Sequence, residues 1–210
     1  MDAWVDEESR PEAELAIYKP IRGERPLDDF PNGTLARREL AAYLVSEAAG
    51  WAIVPPTVMR DGPFGDGMVQ AWIEADESVD PYELVLKADD RLKAICVFDA
   101  LVNNADRKGS HLLPTADGHV HGVDHGICFA AEPKLRTVLW AWRGQPIEPE
   151  LLAVARSLGE SLDGPLGAAL GELLGADELL ATGRRAAELV AVGLYPQPNP
   201  FRPAVPWPPF

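Results

Sequence analysis

The sequence predicts an α+β fold in which a small strand-rich part precedes a larger helical part. Short runs of β-branched and aromatic residues, bounded by proline and glycine, dominate up to about residue 75. Helical periodicity dominates from about residue 81 onward. A chain of 210 residues suits one domain, or one domain with two lobes. We therefore expect a first lobe over residues 1–75 and a second over residues 76–210.

The first lobe is predicted to hold three strands and one helix. The strands are expected in ELAIYKP (14–20), WAIVPPTVMR (51–60) and GMVQAWIEA (67–75). Between the first two strands, residues 34–50 predict a helix that Thr34 caps and Gly50 ends.

The second lobe is predicted to begin with a long helix that starts at Pro81 and keeps its periodicity to Leu101. Residues 118–129, GHVHGVDHGICF, predict a short strand pair. Further helices are expected over 135–142, 148–162, 165–175 and 177–193. The last sixteen residues hold seven prolines, so they predict an extended tail that Trp207 and Phe210 pack in place.

The charge and cysteine content narrow the classes of function. A net charge of −14 argues against a nucleic-acid partner, which would require a basic surface. A local basic cluster could still bind phosphate, or it could be only a solvated surface. Its members are Lys19, Arg22, Arg25, Arg37 and Arg38. Two cysteines, Cys96 and Cys128, make no disulfide framework and no zinc set. With no membrane span or signal peptide recognised, these features predict a cytoplasmic protein.

Five polar residues provide the kinds of side chain that magnesium-assisted phosphoryl transfer needs. That chemistry needs a cation on the phosphates, an anion that holds this cation, a carboxylate for the acceptor hydroxyl, and metal ligands. Lys19 closes a strand, and Glu39 lies on the helix that follows. Asp106 and His111 follow the helix that ends at NN, and Asp124 ends the HVHGV strand. The loop and the hairpin are expected to bring these side chains into one pocket.

The segments NNADRKGSHLL and GVDHG resemble the catalytic and metal-binding loops of the phosphatidylinositol 3/4-kinase-like branch of the protein-kinase fold. YKPIRGERPLDDFPNGTLARRELAAYLVSEAAGW, MVQAWI and KLRTVLWAW are similar to a small actinobacterial group within that branch, and HipA-type kinases share the layout. The resemblance covers most of residues 14–145 and the PWPPF ending. It implies a two-lobed kinase fold that transfers the γ-phosphate of ATP to a hydroxyl on a protein, a lipid headgroup or a small molecule.

The resemblance also implies a role for each matched residue. Lys19 would contact phosphate with Glu39 as its partner, Asp106 would be the catalytic aspartate, and Asp124 would bind Mg²⁺. The hinge and the other nucleotide contacts would be Val69, Gln70, Ala71, Trp72, Ile73 and Val123. His111 stands where the family usually has its second metal ligand, an asparagine, so Mn²⁺ is an alternative metal. The first strand and its glycine-rich loop are expected to be missing, with DAWV (2–5) as the returning half of that hairpin.

Two other classes of function compete with a kinase. A nucleotide-binding pseudokinase or interaction module without turnover is favoured by His111 and by the expected loss of the phosphate loop. A metallohydrolase would use Asp106, His111, Asp124 and the pair His119 and His121, which alternate on a strand and share a face. Such a histidine pair is more often an ordinary polar strand face.

Five further residues have open interpretations. His125 is expected to fill an apolar packing position rather than to bind zinc. Asn103 and Asn104 are expected simply to end a helix, and Trp140 and Trp142 lie either in the core or at an acceptor site.

Overall fold

The computed structural model describes residues 15–210, which form a mixed α+β fold, as predicted. The strands are β1 (Ala16–Pro20), β2 (Thr57–Gly62), β3 (Gly65–Ala71), β4 (Leu112–Pro114) and β5 (Val120–Gly122). The α-helices are α1 (Leu35–Ala49), α2 (Pro81–Leu86), α3 (Lys93–Val102), α4 (Pro149–Ser161), α5 (Pro165–Gly171) and α6 (Ala176–Val192). The DAWV segment lies outside the described residues.

Strands β1, β3 and β2 form an antiparallel sheet in that order, and α1 packs against β2 and β3. Lys19 pairs with Met68, so it lies near the end of β1 that leads towards α1. The second predicted strand begins at Thr57 rather than at residue 51. Pro55 and Pro56 precede it, and proline has no N–H to donate to a sheet.

Helix α1 has the predicted extent but not the predicted cap. The Glu24 carboxylate accepts hydrogen bonds from the backbone N–H groups of Leu35 and Ala36, at 3.2 and 2.9 Å. Thr34 instead donates its hydroxyl to the Pro31 carbonyl oxygen. The helix ends at Gly50, which has a φ of 67°, as predicted.

The long helix predicted from residue 81 is broken into two, α2 and α3. Pro81 opens α2 as expected, but Ala88 has a φ of 51° and ends the helical path. The Asp89 side chain accepts a hydrogen bond from the Arg91 N–H at 3.0 Å and starts a separate 3-10 turn. An aspartate that bonds to nearby backbone competes with the helix in this way.

Two further local predictions were wrong. Strand β5 pairs with β4 rather than with a second strand inside 118–129. Residues 135–142 form no α-helix, because their backbone makes long-range hydrogen bonds. The Arg136 and Val138 N–H groups donate to the carbonyl oxygens of Asn104 and Arg107. The helices expected over 148–162 and 177–193 are confirmed as α4 and α6, and the helix expected over 165–175 is confirmed as α5, which ends earlier, at Gly171.

The proline-rich tail forms neither helix nor strand, as predicted, and it reaches the loop that holds Asp106 and His111. The Gly109 N–H donates to the Pro209 carbonyl oxygen at 2.8 Å. The Phe210 ring meets the Tyr82 ring edge-on, with 4.8 Å between centroids. Trp207 is 89% exposed, so the expected packing of Trp207 was wrong. Pro209 thus attaches the tail to the loop, and Phe210 attaches it to α2.

One continuous core joins the parts of the described chain. Ala41 and Val45 of α1 belong to the same buried cluster as Val97 of α3 and Ala186 of α6. Trp142 belongs to it too, whereas Trp140 is half-buried and donates its ring N–H to the Ala204 carbonyl oxygen. This one cluster contains residues from both sides of position 75, so it does not mark a boundary between two lobes. The predicted boundary at 75/76 stays a prediction. No helix within residues 15–210 has the length and hydrophobicity needed to cross a bilayer.

Candidate active site

Three charged side chains from distant parts of the chain meet at Lys19. Its Nζ lies 2.9 Å from Glu39 Oε1 and 2.9 Å from Asp124 Oδ1. β1 supplies Lys19, α1 supplies Glu39, and the segment after β5 supplies Asp124. The contact between Lys19 and Glu39 is the one expected of a strand lysine and a helix glutamate in this order. One cation therefore joins a buried carboxylate to a half-exposed one.

The pKa values at this cluster reflect burial opposed by charge. Burial works to lower the pKa of Lys19, but Glu39 and Asp124 outweigh it and raise that pKa. Burial also raises the pKa of Glu39, which Lys19 offsets only in part. The pKa of Asp124 is lowered instead, because the charge and hydrogen bond of Lys19 outweigh the effect of burial, which would raise it. Lys19 is thus held in its charged form by two carboxylates.

Asp124 owes its position to an unusual backbone conformation. Its φ is 63°, in the left-handed region, where aspartate is among the residues that are tolerated. The next N–H, that of His125, donates to Glu39 Oε2 at 2.8 Å. Glu39 therefore uses one oxygen for Lys19 and the other for the backbone beside Asp124. This arrangement fixes the carboxylate of Asp124 relative to Lys19.

His111 and Asp124 lie side by side as possible metal ligands. His111 Nε2 is 3.5 Å from Asp124 Oδ2, and burial together with Arg107 lowers the pKa of His111. Within residues 15–210, no group of three or more histidine, cysteine, aspartate or glutamate side chains is arranged to hold a metal ion. A divalent ion between these two residues would therefore take its remaining ligands from water and phosphate, which is how Mg²⁺ is commonly bound with nucleotides.

Asp106 is oriented by the asparagine two positions before it. The Asp106 N–H donates to Asn104 Oδ1 at 2.9 Å, and Asn104 Nδ2 donates to Asp99 Oδ1 at 3.0 Å. The Asp106 carboxylate lies 3.3 Å from Lys108 Nζ and 3.8 Å from Arg136 Nη2. Asn103 ends α3, as expected, with a φ of 54°. Asn104 does more than end a helix, because it fixes the start of this loop.

A buried ion pair that sequence analysis missed lies beneath the loop. Asp99 and Arg107 are both fully buried, and Arg107 Nε and Nη2 each reach an Asp99 oxygen at 2.9 Å. Arg107 Nη2 also lies 2.6 Å from His125 Nε2. Because arginine keeps its proton, it donates here, and burial holds the pKa of His125 well below its usual value. The sequence does contain one sign of this ion pair, because Asp99 is a charged residue inside the apolar run ICVFDALV.

His125 occupies the apolar packing position that the sequence predicted. It is completely buried, and its ring meets Phe98 edge-on with 5.5 Å between centroids. Its Nδ1 has no hydrogen-bond partner in the described structure and lies 4.0 Å from Glu39 Oε2.

The residues expected at the nucleotide hinge form the end of β3 and the segment after it. Gln70 is buried, and its side-chain amide donates to Thr57 Oγ1 at 2.9 Å. Trp72 is half-exposed and donates its ring N–H to Glu74. Val69, Ala71 and Ile73 are partly buried. The N–H of Val123, beside Asp124, donates a hydrogen bond to the His111 carbonyl oxygen at 3.0 Å. The nucleotide contacts of these residues stay predictions.

Two other clusters suggested by the sequence have structural explanations. The rings of His119 and His121 lie 4.5 Å apart, but they belong to no group of three or more metal-binding side chains in the described residues. Arg38 is buried and donates to the Cys128 carbonyl oxygen and to Glu178, so it does not contribute a basic surface. Lys19 is the member of the basic cluster that meets Glu39 and Asp124.

Comparison with known proteins gives a distant likeness to lipid kinases. The chain is 26% identical over 198 residues to phosphatidylinositol 4-kinase gamma 4 of Oryza sativa subsp. japonica, covering 74% of this chain. It is 26% identical over 178 residues to the protein of that name in Arabidopsis thaliana, covering 64% of this chain. The chain spans about a third of each plant protein, 34% and 31%.

A much higher similarity defines the family. The chain is 45% identical over 229 residues to Protein Rv2133c of Mycobacterium tuberculosis (strain ATCC 25618 / H37Rv), covering 92% of this chain and 82% of that protein. The chain therefore belongs to the same family as Protein Rv2133c. No family model matches the chain.

Proposed function

We propose that this protein is a kinase-type phosphotransferase that moves the γ-phosphate of ATP to a hydroxyl acceptor. The observation that carries the proposal is Lys19, held at 2.9 Å from both Glu39 and Asp124. The distant similarity to two plant phosphatidylinositol 4-kinases supports the same class of reaction. The two-lobed kinase arrangement and a cytoplasmic location, where ATP is supplied, belong to this proposal.

Each residue of the site has a proposed part in the transfer. Lys19 exchanges its contact with Asp124 for nucleotide phosphate, while Glu39 keeps it oriented. Asp124 and His111 would hold Mg²⁺ or Mn²⁺, and the ion would supply positive charge that neutralises the phosphates. Asp106 orients the acceptor hydroxyl and accepts its proton. Residues 69–73 and Val123 border the adenine.

A second candidate is a nucleotide-binding protein without turnover. His111 favours it, because imidazole is a poorer ligand for Mg²⁺ than the oxygen of an asparagine would be. Such a protein would bind ATP and release it unchanged, so product formation separates the two candidates.

The test measures ATP binding and phosphate transfer separately. Calorimetry should show ATP binding that depends on a divalent metal and is weakened by Asp124→Ala, since that change removes a metal ligand. Transfer of labelled γ-phosphate into a cell extract should fall by roughly 100-fold or more in Asp106→Asn, with little change in ATP affinity. Asp163→Asn, an exposed acid outside the site, is the control and should change neither quantity.

The outcomes separate the candidates. Binding without transfer in the wild type would identify the second candidate. Equal ATP affinity with and without metal would remove Asp124 and His111 from a metal site. Loss of ATP binding in Asp106→Asn, with normal transfer at saturating ATP, would make Asp106 a structural residue.

A further inference from the structure

A cavity of about 630 Å³ lies away from the cluster of Lys19, Glu39 and Asp124. Its walls come from the end of α3, the loop around residues 131–135, α6, and the chain that follows α6. None of the residues assigned to the proposed phosphotransferase site lines it. Its volume lies within the range of cavities that hold small molecules.

The cavity concentrates positive charge in a strongly acidic protein. The chain has a net charge of −14, yet four cationic side chains and one acidic one line the cavity. The cations are Lys134, Arg184, Arg185 and Arg202, and the acid is Glu188. Because the protein as a whole repels anions, this local reversal of sign favours an anionic ligand at this place.

Two of the four cations form no salt bridge in the part of the chain that the structure describes. Lys134 is paired with Asp29 at 2.7 Å, and Arg202 with Glu132 at 3.3 Å. Within residues 15–210, neither Arg184 nor Arg185 has a carboxylate within salt-bridge distance. The Arg185 guanidinium donates only to neutral acceptors, namely Thr182 Oγ1 and the carbonyl oxygens of Leu101 and Ala130. Arg184 is exposed, whereas Arg185 is partly buried and has Glu178 near it but beyond salt-bridge distance. Burying a charge without a directly paired counter-charge is energetically costly, and an anion bound at Arg185 would offset that cost.

Arg185 is charged at neutral pH despite its burial. Burial lowers the pKa of Arg185 to about 10, which leaves the guanidinium protonated at neutral pH. The positive charge at the wall is therefore present under the conditions in which a ligand would bind.

Apolar side chains make up much of the rest of the wall, beside the polar Asn103, Gln197 and Asn199. Leu135 and Leu189 line the cavity, and Val192 and Leu194 lie at its more exposed side, with exposures of 57% and 40%. A hydrated inorganic ion would leave these side chains in contact with water. A ligand with an apolar body would cover them and gain hydrophobic free energy.

We propose that this cavity binds an amphipathic anion, whose acidic group lies at Arg184 and Arg185 and whose apolar body covers Leu135, Leu189 and Val192. The acidic group is a carboxylate or a phosphate monoester, both of which match the planar arrangement of guanidinium donors. This site is separate from the proposed phosphotransferase site and does not depend on that proposal.

The test compares ligands that differ only in one part. Calorimetry at low ionic strength would use octyl phosphate, octanoate, octyltrimethylammonium, octanol and inorganic phosphate. Octyl phosphate or octanoate should bind at least roughly tenfold more tightly than the other three, because only these two combine an anion with an apolar chain. The tighter of the two identifies the acidic group. Equal binding of the anionic and cationic octyl compounds would overturn the proposal.

Matched variants locate the site. Arg184→Ala and Arg185→Gln should each weaken binding of the better octyl anion by roughly tenfold. Arg156→Ala removes an exposed arginine of α4 that does not line the cavity, and should leave binding unchanged. Arg185 also holds backbone carbonyl groups, so Val192→Asp, at the apolar rim, tests the site independently and should weaken binding too. Unchanged affinity in both Arg184→Ala and Val192→Asp, or an equal loss in Arg156→Ala, would overturn the assignment.

Discussion

His111 determines which metal ion the proposed active site should prefer. Its Nε2 lies 3.5 Å from Asp124 Oδ2, beside the expected position of the ion. Imidazole nitrogen is accepted more readily by Mn²⁺ than by Mg²⁺. We expect the ratio of turnover with Mn²⁺ to turnover with Mg²⁺ to be higher in the wild type than in His111→Asn, by several-fold. Transfer of γ-phosphate measured with each metal checks this.

Another role for His111 gives a different result in the same assay. The Lys108 N–H approaches His111 Nδ1 at 3.5 Å, which favours the form that carries its proton on Nε2. In that form, Nε2 would donate to a phosphate oxygen, and His111→Asn would weaken ATP binding equally with both metals. A metal ratio that is the same in both proteins would therefore exclude coordination by His111.

His121 should make the protein less stable in mild acid. Burial lowers the pKa of His121, and its Nδ1 has no hydrogen-bond partner in the described structure. Between the lowered folded pKa and the unfolded pKa near 6.5, the unfolded chain binds more proton at this residue than the folded protein does, so the free energy of unfolding falls as pH falls. The loss starts near the unfolded pKa and ends at the lower folded pKa. His121→Gln should reduce this slope by at most about 1.4 kcal/mol per pH unit.

Urea unfolding at a series of pH values between neutral and mildly acidic measures the slope for wild type and His121→Gln. Val58→Gln, at an exposed position of β2 that does not ionise, is the control and should keep the wild-type slope. Parallel stability curves for wild type and His121→Gln would contradict the prediction.

The element that carries Glu39, helix α1, is held at its start by Glu24. This carboxylate accepts the first two free N–H groups of the helix and faces the positive end of its dipole. Glu24→Ala should lower the free energy of unfolding by about 1 kcal/mol. Thermal or urea unfolding measures the loss, and Glu77→Ala, an exposed acid outside α1, should cause much less. An equal loss in both variants would show that Glu24 acts through general charge and not as a cap.

The elements that the sequence predicted well are those determined by local patterns. The limits of α1, α4 and α6 follow from apolar periodicity and from glycines such as Gly50 and Gly193, both in the left-handed region. Residues 135–142 share the composition of a helix, but their N–H groups bond to the loop of Asp106, which no local pattern reveals.

The same distinction applies to the candidate site. Lys19 and Glu39 were found because each lies at a recognisable place on an element, and Asp124 because it closely follows a predicted strand. The pair of Asp99 and Arg107 was missed, because what distinguishes these two residues is their complete burial and the ion pair between them. Burial of this kind results from the assembled core and not from the neighbours of either residue in the sequence.

For the whole molecule, Arg38 joins parts that are far apart in the sequence. It reaches the Cys128 carbonyl oxygen and the Glu178 carboxylate from α1, and its guanidinium lies over the Phe30 ring at 4.8 Å. Arg38→Ala should lower the free energy of unfolding by roughly 3–5 kcal/mol, because the largely buried Glu178 carboxylate would lose its salt bridge and keep only the hydrogen bond from the Gly175 N–H.

The neighbouring arginine provides a matched control for that prediction. Arg37 is exposed on the same helix, so Arg37→Ala should change stability by less than about 0.5 kcal/mol in the same chemical unfolding experiment. Similar losses in the two variants would mean that Arg38 contributes only helix propensity.

The contact between Gly109 and Phe210 has a consequence for the evolution of this family. A Cβ on residue 109 would lie 1.9 Å from the Phe210 ring, so no side chain fits there while that ring stays in place. Relatives that carry a larger residue at the position of Gly109 should therefore have a smaller residue, or a displaced chain, at the position of Phe210. The two positions, 101 residues apart, should change together across an alignment, with each substitution tolerated only in the presence of the other.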